Sequence, residues 1–168
     1  MIAGSFRKLF MKTNLALFLL TGLLIASTFA REIGKLDFKT YSGYFVSNKF
    51  EPDDPLSFVA LHDRKKFDQV FGVAFVFGDK SPRLPPNAFD SRLVLAAIRR
   101  GKAFCTFEVS SVTVEDGVVF LRYRTTINKS DSASFACPLI LSIPKGNYQA
   151  VEFHENDKLV KRLPIARQ

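Results

Sequence analysis

Asp116-Gly117 narrows what this chain can become more than any other feature, because it stands between two runs that alternate apolar and polar residues. An Asp-Gly step supplies two residues that accept positive φ, as the primed two-residue turns of β-hairpins demand. With that turn at its tip, the hairpin sets Val114 opposite Val119 and Val112 opposite Leu121. Along the outgoing strand Val119, Leu121, Tyr123 and Ile127 alternate with Arg122, Arg124 and Thr126, the pattern of a sheet with one dry face and one wet face. The incoming strand is apolar at Cys105, Phe107 and Val109, then changes phase to Val112 and Val114. That change predicts one extra residue at Ser110-Ser111, a β-bulge that returns all five side chains to one face.

The rest of the chain reads in the same way. Residues 38–46 are rich in β formers and are closed by Asn48 and by Pro52-Asp53-Asp54-Pro55, so a strand followed by a loop is expected. Residues 56–62 form a second short strand. Asp63 then caps a helix over 64–71, with Phe67, Val70 and Phe71 at helical spacing, Arg64-Lys65-Lys66 toward water and Gly72 as the stop. Residues 73–77 read as a strand, and Pro82, Pro85 and Pro86 make 78–87 an irregular loop. Phe135, Cys137, Leu139, Leu141 and Ile143 alternate once more. A last hairpin turns at Asn156-Asp157, a register that places Glu155 opposite Lys158, Phe153 opposite Val160 and Glu152 opposite Lys161.

Residues 92–101 are ambiguous by local rules, since Asp90 is placed to cap a helix and Gly101 to end it. The β surroundings favour a buried central strand instead. The expected fold class is therefore mainly β (α+β): an antiparallel sheet or sandwich with one or two short helices.

The apolar run at 15–26 (LALFLLTGLLIA) is shorter than the ~20 residues of a membrane-spanning helix. It follows Arg7, Lys8 and Lys12 without an acidic residue, and precedes Thr28-Phe29-Ala30, a small-x-Ala cleavage step. Residues 1–30 thus read as a secretory signal peptide, an uncleaved anchor being the alternative, and 31–168 as a single exported β-rich domain in the periplasm or outside the cell. Without the three signal cations, 21 basic residues face 16 acidic ones, a net charge of +5. That is mild for a polyanion binder, so no nucleic acid is expected as partner, and membrane contact only through the transient signal peptide.

Cys105 and Cys137 both fall on the apolar phase of their strands, and an oxidising compartment makes a structural disulfide their natural use, worth about 3–4 kcal/mol on a chain-entropy model. The alternative, a cysteine nucleophile served by His62 or His154, lacks any local signature. Gly-x-Ser-x-Gly, a glycine-rich phosphate loop, Cys-x-x-Cys and closely spaced histidine ligands are all missing from the sequence, so neither a metal nor another cofactor is expected. Three cationic clusters remain: Arg64-Lys65-Lys66, then Arg99-Arg100-Lys102, then Arg122 with Arg124 on the wet strand face. Such clusters are ordinarily solvated faces, and convergence of the last two would make a surface for an acidic partner or anionic headgroups.

The stretch from Phe89-Asp90 through the apolar run to Gly101, the following hairpin, and Cys137-Pro138 through Ile143-Pro144-Lys145 resemble the PrcB-type protease-complex accessory domain over roughly residues 56–153. That family's Gly-Gly-Tyr step is replaced here by Lys102-Ala103-Phe104-Cys105. The resemblance implies an exported, mainly β, non-catalytic module and a strand at 93–98. The expectation is thus a non-enzymatic interaction or accessory module for a protein or envelope partner, through Arg99, Arg100, Lys102, Arg122 and Arg124. Its rivals are a small periplasmic hydrolase with a site assembled by tertiary contact and a basic protein that binds anionic envelope surfaces.

Overall fold

The computed structural model describes residues 33–75, 78, 80–129 and 133–165, so the signal-peptide reading falls outside the described residues. Eleven strands and two short helices follow one another there: β1 (Gly34–Lys35), β2 (Lys39–Tyr41), β3 (Tyr44–Val46), β4 (Leu56–Leu61), α1 (Arg64–Val70), β5 (Phe71–Val73), α2 (Ala88–Ser91), β6 (Arg92–Gly101), β7 (Ala103–Glu115), β8 (Val118–Lys129), β9 (Phe135–Pro144), β10 (Ala150–Glu155) and β11 (Lys158–Pro164). A five-stranded sheet has the order β1-β7-β8-β10-β11, a four-stranded sheet the order β2-β9-β6-β4, and β3 pairs with β5. The chain is mainly β, as expected. All these pairings are antiparallel except β8 with β10, which run parallel, their connection passing through β9 in the other sheet.

The hairpin of β7 and β8 forms as its sequence dictates. Val114 faces Val119, Val112 faces Leu121, and Asp116 and Gly117 take φ of 49° and 75°. The register shifts between Val109 and Ser111, at the expected bulge.

Residues 92–101 are strand, and the reason lies in their two environments. Leu93, Leu95 and Ala97 of β6 pack with Val112, Leu121, Leu141 and Phe153 in the layer between the two large sheets. Val94, Ala96 and Ile98 point the other way, onto Phe67, Phe71, Leu84 and Phe89 from α1, β5 and the segment through α2. A strand covered on both faces needs no polar phase, so its sequence is a continuous apolar run that local rules cannot tell from a buried helix. Each large aliphatic side chain removed from water there contributes about 1.5–3 kcal/mol.

Several boundaries differ from expectation. The strand over 38–46 is two strands, broken at Gly43, whose φ of +74° suits glycine. Asp63 does cap α1, its Oδ1 accepting from the Lys66 amide at 2.8 Å, but the helix ends at Val70, one residue early. Gly72 is not its stop. It lies in β5 opposite Phe45, and a Cβ there would come within 2.2 Å of that ring's Cζ. Of the expected strand at 73–77, Val73 belongs to β5 and residues 76 and 77 lie outside the described residues.

The last hairpin turns at Asn156 and Asp157 with φ of 49° and 65°, and Glu155 faces Lys158 as expected. The register then slips between Phe153 and His154, so Phe153 faces Lys161 rather than Val160 and Glu152 faces Arg162 rather than Lys161. A bulge in β11 makes the correction, and the new pairing has a chemical outcome described below.

Phe153, fully buried against Phe58, tests the sandwich core. Phe153→Ala is expected to lower unfolding free energy by about 3–5 kcal/mol in urea titrations, and Asp63→Ala, which removes only a helix cap, by about 1 kcal/mol.

Candidate functional site

The cations singled out in the sequence part company in the structure. Arg99 shares the face of β6 that carries Leu95 and Ala97, so it enters the layer between the sheets, where Nη2 donates to both oxygens of Glu155 at 2.6 and 2.7 Å. The carboxylate is 9% exposed and Arg99 25%, so the pair bridges the sheets with little water around it. Arg100 points to the opposite face. Its guanidinium donates to the carbonyls of Asp54 and Phe50 and to Ser57 Oγ, fixing the loop that contains Asp53-Asp54 at the rim of a ≈ 580 Å³ cleft. Lys102 is exposed at the turn between β6 and β7. Arg122 and Arg124 lie on the outer face of the five-stranded sheet. The two clusters therefore do not converge on one surface.

Arg64, expected in water, is only half exposed: its guanidinium lies 5.4 Å from the rings of Phe67 and Phe89 and donates to the Pro85 carbonyl at 2.7 Å. His62 is held below the ordinary imidazole value by burial first, then by the charges of Lys145 and Lys66, with Asp63 acting in the other direction.

Cys105 and Cys137 meet beside the Arg99–Glu155 pair, but the expected disulfide is not formed. The cysteines are 4.3 Å apart, against ~2.05 Å for a bonded pair of sulfurs. In place of a bond, the Cys105 amide donates to Cys137 Sγ at 3.1 Å. Burial, and then the neighbouring Cys137, push the Cys105 thiol above its ordinary value, which disfavours the nucleophilic thiolate. Tyr123 closes this interior cluster, its phenol raised by burial and by the Glu155 charge, with Arg99 opposing.

The arrangement that sequence reasoning missed is on the outer face of the same sheet. Because β10 runs parallel to β8, Glu152 lies beside Phe120 and His154 beside Arg122. Because β11 carries its bulge, Arg162 lies opposite Glu152. Glu152, 12% exposed at its side chain, accepts from Arg162 Nη1 at 2.6 Å and sits 3.1 Å from His154 Nε2. Phe120 lies between two partners, with the Arg122 guanidinium 5.6 Å from its centroid and the His154 ring 6.0 Å away. One carboxylate thus meets Arg162 and His154, while neither Arg122 nor Arg124 is in an ion pair among the described residues. Glu108 stands opposite Arg124 in the ladder without closing an ion pair. The alternation of Glu152 and His154 was visible in the sequence; the parallel seam and the bulge that assemble the cluster were not.

Among the described residues, no group of three His, Cys, Asp or Glu side chains could hold a metal ion, and no helix is long and apolar enough to cross a membrane. No family model, no curated protein and no solved structure matches the chain.

Glu155→Gln removes the charge that compensates Arg99, and a loss of about 3–5 kcal/mol in unfolding free energy is expected. The raised Tyr123 phenol stabilises the fold below the unfolded value of about 10, a contribution lost as pH rises beyond it. Denaturant midpoints compared at pH 8 and pH 11 should fall less in Tyr123→Phe than in the parent protein.

Proposed function

We propose that this chain is an exported, non-enzymatic interaction module that binds an acidic protein or envelope partner on the outer face of its five-stranded sheet. The observation that carries the reading is the pair Arg122 and Arg124, two residues apart on one strand face, outside any ion pair among the described residues and bordered by Phe120 and His154. A guanidinium presents a planar fork of donors that matches carboxylate or phosphate oxygens, and an aromatic ring beneath it restricts its orientation. The sheet beneath is held by the core, so two such forks are offered at strand spacing on a stiff support. The resemblance to the PrcB-type accessory domain supports the same class of function. Arg99 and Arg100 then serve the fold rather than the partner, and Lys102 stands apart.

Export is part of this proposal and rests on the three-part segment at 1–30. Protein recovered from the cell envelope is expected to begin at or near Arg31, as N-terminal sequencing reads it. In that compartment a thiol–disulfide oxidant is expected to take two electrons and two protons from Cys105 and Cys137 and join their sulfurs, so that intact mass rises by two hydrogen atoms on reduction. A full-length, membrane-extracted chain defeats the export reading, and two freely alkylated thiols in the folded, unreduced envelope protein defeat the closure.

A tagged copy crosslinked in its native host is expected to recover a specific acidic component that Arg122→Glu with Arg124→Glu loses, while the double variant keeps its unfolding midpoint within ~0.5 kcal/mol. Recovery unchanged by the double variant refutes the assigned face. The hydrolase reading has one observation in its favour, the His154–Glu152 contact. Turnover of an ester, peptide or glycoside by the purified protein, abolished by His154→Ala, would replace the binding module with an enzyme.

A further inference from the structure

β7 is a 13-residue strand whose second edge is covered, among the described residues, only at its far end. β1 pairs with Val114 and Thr113, and the Leu36 amide donates to the Val112 carbonyl at 2.9 Å. Nearer the start of the strand, the Cys105 amide points away from β8, since it donates to Cys137 Sγ in the other sheet. Strand alternation then turns the N–H and C=O of Phe107 and Val109 the same way, and the bulge after Val109 moves the outward phase to Val112 and Val114, where β1 meets it. Phe107 and Val109 thus present backbone donors and acceptors at ladder spacing that no strand takes up among the described residues.

This edge lines a cleft of ≈ 510 Å³ whose floor includes Phe38, Tyr41, Leu139 and Ile140. The opposite wall is β9, beyond the point where β2 stops pairing at Ile140. That wall carries Pro138, which has no N–H to give, so β9 is a poor template and β7 the competent one. On the wet side of β7, Glu108 is exposed and outside any ion pair among the described residues.

We propose that the free edge of β7 at Phe107 and Val109 receives an extended segment of a second polypeptide, added antiparallel as an extra strand, with apolar side chains alternating with basic ones. The ladder demands extended backbone. Residues directly opposite Phe107 and Val109 place their side chains on the cleft side, over Tyr41 and Leu139, while the intervening residue faces Glu108 and is basic by charge complementarity. This edge adjoins Arg124, which stands opposite Glu108 on the same face, whereas Arg122 lies opposite Ser111 beyond the bulge, so Arg122 alone separates this proposal from the preceding one.

The test uses the purified protein and a synthetic decapeptide of alternating Val and Lys, beside the same peptide N-methylated at each Val. In the free protein, amide hydrogen exchange followed by NMR should be fast at Phe107 and Val109 and slow at Thr106 and Glu108, whose amides face β8. The Val-Lys peptide should slow exchange at Phe107 and Val109 by at least tenfold, and the N-methylated peptide should not. Glu108→Gln, an exposed change that sets no second cation opposite Arg124, should weaken binding several-fold, whereas Arg122→Glu, which lies opposite Ser111, should leave it unchanged. The proposal is overturned if Phe107 and Val109 are already as slow as Thr106 and Glu108 without peptide. It is overturned equally if neither peptide slows them, if the N-methylated peptide protects as well as its parent, or if Arg122→Glu abolishes binding.

Discussion

Everything in this structure depends on keeping β6 dry on both sides. Its residues Leu93 to Ile98 are all buried, alternate ones belonging to two different apolar layers. One sheet cannot satisfy such a strand. The five-stranded sheet covers one face, and a patchwork of α1, α2, β3, β5 and the chain between them covers the other. This explains why so much irregular chain is tied down by specific contacts: Arg64 onto Pro85, Arg100 onto Phe50 and Asp54, and the Tyr44 hydroxyl accepting from the Leu84 amide. These segments close a hydrophobic layer, and their backbone groups have to be satisfied where they do so.

The polar chemistry divides along the same layers. Between the sheets, Arg99 and Glu155 meet in an environment where either alone would be costly, and the two cysteines and Tyr123 gather around them. Outside, Glu152 holds Arg162 and lies against His154, while Arg122 and Arg124 are in no ion pair among the described residues and Arg124 stands opposite the carboxylate of Glu108. Position in the layers, more than density of charge along the chain, decides which cations are tied into the fold and which stay outside ion pairs among the described residues.

Much of the fold was legible because its strongest signals are short-range. The Asp116-Gly117 turn, the bulge at Ser110-Ser111 and the capped helix at Asp63 each follow from a few neighbouring residues. The errors come from longer reach. Gly72 looked like a helix stop because the proximity of Phe45 is a tertiary fact. The local turn rule sets Glu152 opposite Lys161 because a bulge in a short edge strand leaves no mark in composition. Arg99 looked free because its partner is 56 residues away in another sheet. The outer-face cluster needed both the bulge and the parallel neighbour, and neither has a local signature.

The parallel seam of β8 and β10 bears on how the molecule assembles. The hairpins β7–β8 and β10–β11 close through two-residue turns and are fast local units. To lie side by side they must wait for the chain between them to travel through the opposite sheet as β9 and come back, a non-local closure with a larger entropic cost. The face bearing Arg122 and His154 therefore exists only once both halves of the sandwich have docked. A nascent or partly unfolded chain, with its hairpins already made, would still lack that assembled cluster, so the contact of His154 with Phe120 reports completion of the fold itself.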